Sequence, residues 1–339
     1  MLGEARTLPG VTVVIPVYNY ASYLAEAIRS ALTQEYSGKL EVLVVDDGST
    51  DESPSVIASF GSAISSHRQP NAGLSAARNT GMRLATHDLV VFLDADDLLE
   101  PTCVQELVGA RQPLPDEKKE PVVIGSRGRM IDANGAFLSE LASDLDGRVE
   151  RFEVSDFILR NRFAPIVLAD RRVLLGLEGF DTKLPASEDR DMWIRAATVG
   201  PVVLVHRALH RKRDHGANMS RHAERQTSCI LRVLEKAKQQ SGIPLNSRVW
   251  AEAEAVCLFQ SARMYLAAGE RKMAIKQCVR SLRRAWWLSC TQEVGYPAGF
   301  RARFLLLQLG RALGFGKAPA ATGGDGKEGN WTPVNLKTR

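Results

Sequence analysis

Two groups of acidic residues stand directly after apolar runs. Asp46 and Asp47 follow Glu41-Val-Leu-Val-Val45, and Asp94, Asp96 and Asp97 follow Leu89-Val-Val-Phe-Leu93. Short β-branched runs of this kind read as buried strands. In an open parallel sheet, ligands bind outside the carboxyl ends of the strands, so both acidic groups are expected to face one crevice. Carboxylates brought close together repel unless a cation or hydrogen-bond donors stand between them. A hard divalent cation, Mn2+ or Mg2+, suits one or two carboxylates together with phosphate oxygens of a substrate. A lone acidic pair is as readily a solvated loop; the position of Asp94-Ala-Asp96-Asp97 at the end of Val-Val-Phe-Leu favours a site. Glu188-Asp189 precedes Met192-Trp-Ile-Arg195, which reads as a helix, and acids there suit the helix dipole whatever else they do.

The elements that must position these residues alternate. Val11-Thr-Val-Val-Ile-Pro16 predicts a strand. Ala21 to Gln34 predicts a helix, with Leu24, Ala27, Ile28, Ala31 and Leu32 on one face. Ser49 and Glu52 have capping-box spacing, and Pro54 fits a first helical turn. Leu74 to Ala85 predicts another helix, and Pro121 to Gly125 and Val202 to Val205 further strands. The charged, Pro-containing stretch 111–120 predicts a surface loop. Alternating apolar strands and helices imply a parallel sheet covered on both faces. Nucleotidyl transfer would use a similar sheet, acids and metal, but it calls for a Gly-rich phosphate loop after the first strand. Pro16-Val-Tyr-Asn-Tyr20 has no glycine.

Composition divides the chain. Residues 1–205 hold 20 Lys/Arg against 30 Asp/Glu, whereas residues 206–316 hold 20 against 7, so an acidic half is joined to a basic one. The five cysteines are odd in number and form no CxxC pair, which argues against a disulfide framework or a zinc site and for a reducing compartment. No run of about 18 apolar residues suggests a spanning helix. Long helical segments are expected at roughly 221–240, 248–268 and 271–289. Trp286, Trp287, Phe300, Phe304 and Leu305 to Leu307 are interleaved with Arg283, Arg284, Arg301, Arg303 and Arg311. That mixture suits either an anionic membrane surface or a helical subdomain with a solvated basic face. No nucleic-acid recognition motif is present. Residues 316–339 are rich in Gly, Ala, Pro and Lys and are expected to be disordered.

Five motifs occur in order: Val13-Val-Ile-Pro16-Val-Tyr18-Asn19, Val44-Val-Asp46-Asp47-Gly-Ser49, Gln69-Pro-Asn71-Ala-Gly73, Ala77-Arg78-Asn79-Thr-Gly81 and Phe92-Leu-Asp94-Ala-Asp96-Asp97. Gly179-Phe-Asp181 and Glu188-Asp189 follow. Over about residues 10–220 this series closely resembles the family 2 glycosyltransferases. The resemblance implies a GT-A (Rossmann-like) α/β domain over 10–220, with a mostly parallel sheet and helices on both faces. A basic helical region at 221–315 follows, with an extension at 1–9 and a tail at 316–339. It implies an inverting, nucleotide-sugar-dependent transferase, with UDP-sugar the favoured donor. The acceptor would be a saccharide or lipid-linked saccharide, as in cell-surface polysaccharide or glycoconjugate synthesis. Pro16, Tyr18 and Asn19 would pack on the nucleoside, and Asp46, less surely Asp47, would receive the base N–H. Asn71, Gly73 and Arg78 would lie against the nucleotide, Arg78 balancing phosphate charge unless it is only a helix-surface ion pair. Asp96 would bind the metal, Asp94 would contact ribose or the metal shell, and Asp97 would cap the following turn. Asp189 would deprotonate the acceptor. Arg213-Asp-His215-Gly-Ala-Asn218-Met-Ser220 resembles the family's closing segment, in which His215 would complete the metal shell or meet the diphosphate. Leu209-His210-Arg211 departs from the aromatic residue that often precedes that Arg. His206, His210 and His222 are expected to be structural. The chain is expected in the cytoplasm, peripheral at the inner face of the membrane. The alternatives to catalysis by sugar transfer are a nucleotide-sugar-binding scaffold and a nucleotidyltransferase.

Overall fold

The structure is a computed structural model that describes residues 8–115, 117–138, 145–163, 166–215, 222–240, 243, 245–290 and 299–312. Two compact units are present, one within residues 1–157 and 161–218, the other within 158–160 and 219–339. Asn218, Ser220 and the tail at 316–339 lie outside the described residues, as do residues 1–7 of the N-terminal extension.

The first unit begins with β1 (Val11–Val17), α1 (Ala21–Leu32), β2 (Leu40–Asp46), α2 (Ser53–Ser59), β3 (Ser65–Arg68), α3 (Leu74–Leu84) and β4 (Leu89–Phe92). The strands β3, β2, β1 and β4 lie side by side in that order, all parallel. β1 and β4 are buried along their whole length, which is why they read as unbroken apolar runs rather than as alternation. On one face of the sheet Leu24, Ala27, Ile28 and Ala31 of α1 close on Val13, Ile15, Val42 and Val44. On the other, Ala77 of α3 packs on Leu43 and Val45. A Cβ at Gly81 would lie 2.2 Å from Val14 Cγ1, so glycine is what lets α3 approach β1 this closely.

The chain continues through β5 (Leu98–Leu99), α4 (Cys103–Gly109), β6 (Val123–Ile131), β7 (Val149–Phe152), α5 (Val154–Leu159), β8 (Val167–Asp170), α6 (Arg171–Gly176), α7 (Glu188–Ala197) and β9 (Val202–Arg213). Here the sheet turns mixed. β8 is antiparallel to β4 and to β6, β9 is parallel to β6, and β5 and β7 are antiparallel to β9. β9 runs eight residues beyond the expected Val205, because β5, β6 and β7 all supply it with hydrogen-bond partners. The polar, exposed β3 and the two-residue β5 carry no hydrophobic period that a sequence could announce.

One local expectation is corrected. Ser49 and Glu52 do not form a capping box: α2 starts at Ser53 with no side-chain cap, although Pro54 does sit in its first turn. Ser49 is buried, and its Oγ accepts the Asn19 backbone N–H at 3.0 Å. The hydroxyl joins two loops instead of closing a helix end.

The second unit is helical: α8 (Ala223–Gln239), α9 (Ser247–Ala267), α10 (Arg271–Arg284), a 3-10 turn at Trp286–Cys290 and α11 (Phe300–Ala312). Asn246 Oδ1 caps α9 by accepting the Val249 N–H at 3.0 Å. Phe259 meets Phe300 and Phe304 edge to face at 5.7 and 5.3 Å. The buried Arg301 donates to Ser281 Oγ at 2.8 Å and to the Ser281 carbonyl at 3.1 Å. Trp286, Leu306 and Leu307 remain more than half exposed. Cys103, Cys229, Cys257 and Cys278 are buried thiols that form no disulfide with one another. No described helix is long and apolar enough to cross a membrane.

Candidate active site

The carboxyl ends of β4, β1 and β2 are neighbours, and three groups of residues gather there. The first joins the loops after β1 and β2. Asn19 takes a left-handed conformation (φ 58°). Its Oδ1 accepts Thr50 N at 2.7 Å and Asp51 N at 3.3 Å, while Asp51 Oδ2 accepts Ala21 N at 2.9 Å. Pro16 is buried within β1 and Tyr18 is exposed beside this junction. Asp46 is buried; its Oδ1 accepts Ser49 N at 2.8 Å. Its Oδ2 has no hydrogen-bond partner among the described residues and pairs with the Arg68 guanidinium, Nη1 at 3.5 Å. Asp47 is fully engaged by the chain itself. Its Oδ1 accepts from Gln69 Nε2 at 2.7 Å and Ala72 N at 2.9 Å, and its Oδ2 from Gly73 N at 2.8 Å. Gly48 (φ 77°) would bring a Cβ within 2.9 Å of Asn71 N, so it must be glycine for the 69–73 loop to stack on it. Asn71 and Gly73 lie exposed on that loop.

The second group is the turn after β4. One carboxylate oxygen each from Asp94, Asp96 and Asp97 lies within 4.8 Å of the others. Asp97 is buried and its Oδ1 accepts the Arg213 backbone N–H at 2.8 Å. It therefore anchors the end of β9 rather than capping its own turn. Arg213, also buried, donates from Nε to the Asp96 carbonyl at 2.9 Å and from Nη2 to Glu26 at 2.7 Å. Its guanidinium lies 4.7 Å from the Tyr23 ring centroid. Two residues on, His215 Nε2 is 3.0 Å from Asp96 Oδ2, and its ring meets those of Tyr20 and Tyr23 at 5.9 and 5.2 Å. The unusual Leu209-His210-Arg211 lead-in thus leaves Arg213 and His215 at the acidic corner. Burial, and then the negative charge of Asp94, raises the Asp96 carboxyl above its usual range, while His215 works the other way. Burial and the charges of Asp96 and Asp94 push Asp97 well up. The same carboxylates add to the effect of burial in pushing the Tyr20 hydroxyl up to about 12. Converging carboxylate oxygens beside one imidazole nitrogen make a donor set that fits Mn2+ or Mg2+.

The third group is the start of α7. Ser187 enters it left-handed (φ 61°), and Glu188, Asp189 and Asp191 occupy its first turn. Arg78 connects this turn to the second group. It is not on a helix surface: it is 1% exposed, with Nη1 2.6 Å from Glu188 Oε1 and Nη2 2.7 Å from Asp94 Oδ1. Burial alone would lower the guanidinium; the charges of Asp94 and Glu188 outweigh it and raise it. The neighbouring Asn79 holds Phe180 at both backbone atoms, each at 2.8 Å. Arg195 closes on Asp191 at 2.7 Å and on the Gly179 carbonyl at 2.9 Å. Asp189 is half-buried, and its Oδ2 accepts from Asn161 Nδ2 at 2.7 Å. Asn161 and Tyr20 have no signal in the sequence; Glu188 stands in the Glu188-Asp189 motif, but nothing there announces Arg78 as its partner. His206 and His210 are buried against Glu150 (2.7 Å) and Ser126 (3.1 Å), and His222 is exposed.

The chain resembles known proteins along the stretch that builds these groups. The model of glycosyl transferase family 2 matches residues 12–127. An uncharacterized glycosyltransferase of Nostoc sp. is 30% identical over 316 residues, covering 87% of this chain and 94% of that protein. Against glycosyltransferases of several Rickettsia species the chain spans only 35% to 65% of the relative's length. Among solved structures, S. aureus TarS 1–349 in complex with UDP superposes with a TM-score of 0.58 at 16% identity, covering 90% of this chain and 92% of that one. The mannosyltransferase PcManGT from Pyrobaculum calidifontis, in complex with GDP-Man and Mn2+, gives 0.56 at 21% identity, covering 92% and 82%. With the ordered motifs, the mixed sheet and the acidic strand ends in one chain, and a full-length relative at this identity, the protein belongs to glycosyl transferase family 2 and has the GT-A fold.

Proposed function

We propose that the chain is an inverting glycosyltransferase that takes a sugar from a nucleotide-sugar donor, a UDP-sugar by preference. The acceptor is the hydroxyl of a saccharide or lipid-linked saccharide in cell-surface polysaccharide or glycoconjugate synthesis. One observation carries this reading: a single buried guanidinium, Arg78, holds Asp94 on one side and Glu188 on the other. A corner suited to a metal–diphosphate and a helix start bearing the half-buried carboxylate of Asp189 are thereby kept on two sides of one small site. Such a site is what in-line displacement at an anomeric carbon requires.

In this reading Asp46 Oδ2, a buried acceptor without a hydrogen-bond partner among the described residues, receives the imide N–H of the base. Pro16, Tyr18 and Asn19 flank the nucleoside, and Asn71 and Gly73 form the loop wall that Asp47 holds in place. Asp96, Asp94 and His215 would hold Mn2+ or Mg2+, which when bound neutralises charge on the departing diphosphate. Arg78 works from behind these carboxylates rather than on phosphate directly. The acceptor hydroxyl gives its proton to Asp189 Oδ2, its oxygen bonds to the anomeric carbon, and the bond from that carbon to the diphosphate oxygen breaks with its electron pair. The sugar is inverted because attack and departure lie on opposite faces. Support for a metal-dependent nucleotide-sugar enzyme also comes from the ligands of the two superposed proteins, UDP in one and GDP-Man with Mn2+ in the other.

The test is nucleoside diphosphate release from a panel of UDP-, GDP- and dTDP-sugars, with and without Mn2+. Asp189→Asn should lower release at least ~10³-fold while leaving UDP affinity in place. Wild-type rates in Asp189→Asn with an intact fold would defeat the assignment.

We place the catalytic region at 10–220 and the basic helical region at 221–315. The latter is proposed to rest on an anionic cytoplasmic membrane face through exposed Trp286, Leu306 and Leu307 beside Arg283 and Arg303. Co-sedimentation with phosphatidylglycerol vesicles should fall in Leu306→Glu/Leu307→Glu; unchanged binding refutes the placement.

A further inference from the structure

The carboxylate assigned above as the base is held from outside its own helix. Asp189 Oδ1 accepts the Arg190 N–H at 2.7 Å, a local contact that leaves the side chain free to swing. Asp189 Oδ2 accepts Asn161 Nδ2, also at 2.7 Å, from the segment that follows α5. The helix α5 just before that segment grips the next residue as well, since Arg190 Nε donates to the Phe157 carbonyl at 2.8 Å. The first turn of α7 is thus pinned at two successive residues by one stretch of chain.

The orientation of the Asn161 amide follows from chemistry. An ionised carboxylate only accepts, so the NH2 end must face Asp189 and the carbonyl must face away. That carbonyl oxygen, Oδ1, is buried and has no hydrogen-bond partner among the described residues. A buried polar atom left unpaired is unfavourable, and in native proteins such atoms call for an explanation. Packing alone does not supply one, because an apolar side chain of similar size would fill the space without the penalty. What the amide provides that an apolar side chain cannot is the N–H on Asp189.

We infer that Asn161 is a positioning residue for sugar transfer: its amide N–H fixes the Asp189 carboxylate in the one orientation from which it takes the acceptor proton. This rests on Asp189 being the base. A carboxylate released from that contact still binds no worse to anything on the donor side, but it meets the attacking oxygen less often in line. Misplacement of a reacting group by an ångström or so costs up to about 100-fold in rate.

The experiment uses the full chain with Mn2+ and water as acceptor. It reads diphosphate release from UDP-glucose, UDP-N-acetylglucosamine and GDP-mannose for wild type, Asp189→Asn, Asn161→Ala and Asn161→Asp. Both Asn161 variants should lose about 10- to 100-fold in kcat. KM for the donor and the Kd for UDP should stay within about twofold, because the role lies on the acceptor side. Asn161→Ala should melt no lower than wild type, since it removes an unpaired buried oxygen along with the hydrogen bond. Wild-type kcat in Asn161→Ala, beside an inactive Asp189→Asn, overturns the inference and leaves the base assignment standing. A lower kcat that comes with an equal loss of UDP affinity or a lower melting temperature makes Asn161 merely structural and also overturns it. Wild-type rates in Asp189→Asn, or no release from any donor by the wild-type chain, removes the reading beneath it and the inference together.

Discussion

The two acidic strand ends start alike and finish differently. Both place aspartates at the carboxyl end of a buried parallel strand, β2 in one case and β4 in the other. At the end of β2 the carboxylates are answered by N–H donors of the chain: Ser49 N on Asp46, and Gln69 Nε2, Ala72 N and Gly73 N on Asp47. At the end of β4 three carboxylates crowd within 4.8 Å, answered by the buried Arg78 side chain, by the Arg213 backbone N–H and by His215. Burial and mutual repulsion raise two of them, Asp96 and Asp97. The first end uses its charge to build a loop. The second keeps negative charge that the chain does not fully neutralise, which is the condition for taking up a cation.

Removing a carboxylate should therefore have opposite consequences at the two ends. The largest effect is expected for Asp96→Ala. Diphosphate release should fall ~10³-fold or more, equivalent to about 4 kcal/mol. The metal-free melting temperature should not fall, because a repelled carboxylate has been removed. Mn2+ should raise the melting temperature of wild type and not of the variant; calorimetric scans with and without Mn2+ check both.

Asp47→Ala should do the reverse. Three donors lose their acceptor, two of them backbone N–H groups that set the 69–73 loop. Unfolding free energy should drop by about 3 kcal/mol, read from urea titration. The loss would appear equally with and without Mn2+. A Mn2+-dependent loss would erase the distinction between the two ends.

A third effect tests what stands behind the β4 corner. Burial, and then the Lys212 charge, lowers the His210 imidazole to about 4, against the pull of Glu100 and Asp94. The folded chain therefore holds this ring neutral, while the unfolded chain protonates it near 6.5. The unfolded state binds the extra proton between those values, so stability is retained above about 6.5 and lost as pH falls toward 4. The expected decrease from pH 7 to pH 5 is about 2 kcal/mol. His210→Gln should show a correspondingly flatter profile in urea unfolding at the two pH values.

The smallest effect belongs to Asp46 Oδ2 at the β2 end, which faces the Arg68 guanidinium at 3.5 Å without a hydrogen bond. Asp46→Asn turns an acceptor toward a donor at Oδ2, so UDP affinity should weaken about tenfold. CDP, whose ring nitrogen accepts instead of donating, should lose nothing. Equal losses for both nucleotides, measured by calorimetry, would show that Asp46 only supports Ser49.

Much of the sheet and one half of the site were legible along the chain. The strands β1, β2 and β4 and the helices α1 and α3 follow from apolar runs and a 3.6-residue period. The aspartates at two strand ends follow from their position alone, and the motif series from Pro16 to Asp97 identified the family. Legibility ended where partners are distant in sequence. Arg78 reads as an exposed helix cation until Glu188, 110 residues away, and Asp94 are brought to it. Ser49 reads as a helix cap until Asn19 takes its oxygen. Asp47 and Asp46 are adjacent and chemically identical, and only the path of the 69–73 loop separates a loop anchor from an open acceptor.

The sequence by itself determined which residues carry charge, which runs are buried strands and which family the chain belongs to, because those properties are local or are written as ordered motifs. Only the tertiary structure decided what each charge faces. At Asp94-Ala-Asp96-Asp97 the spelling names an acidic turn; the arrival of Arg213 and His215 from β9 and its end, and of Arg78 from α3, turns it into a corner with a direction. A carboxylate's behaviour is set by the donors and charges within a few ångströms, and here those come from segments that the fold, not the order of residues, brings together.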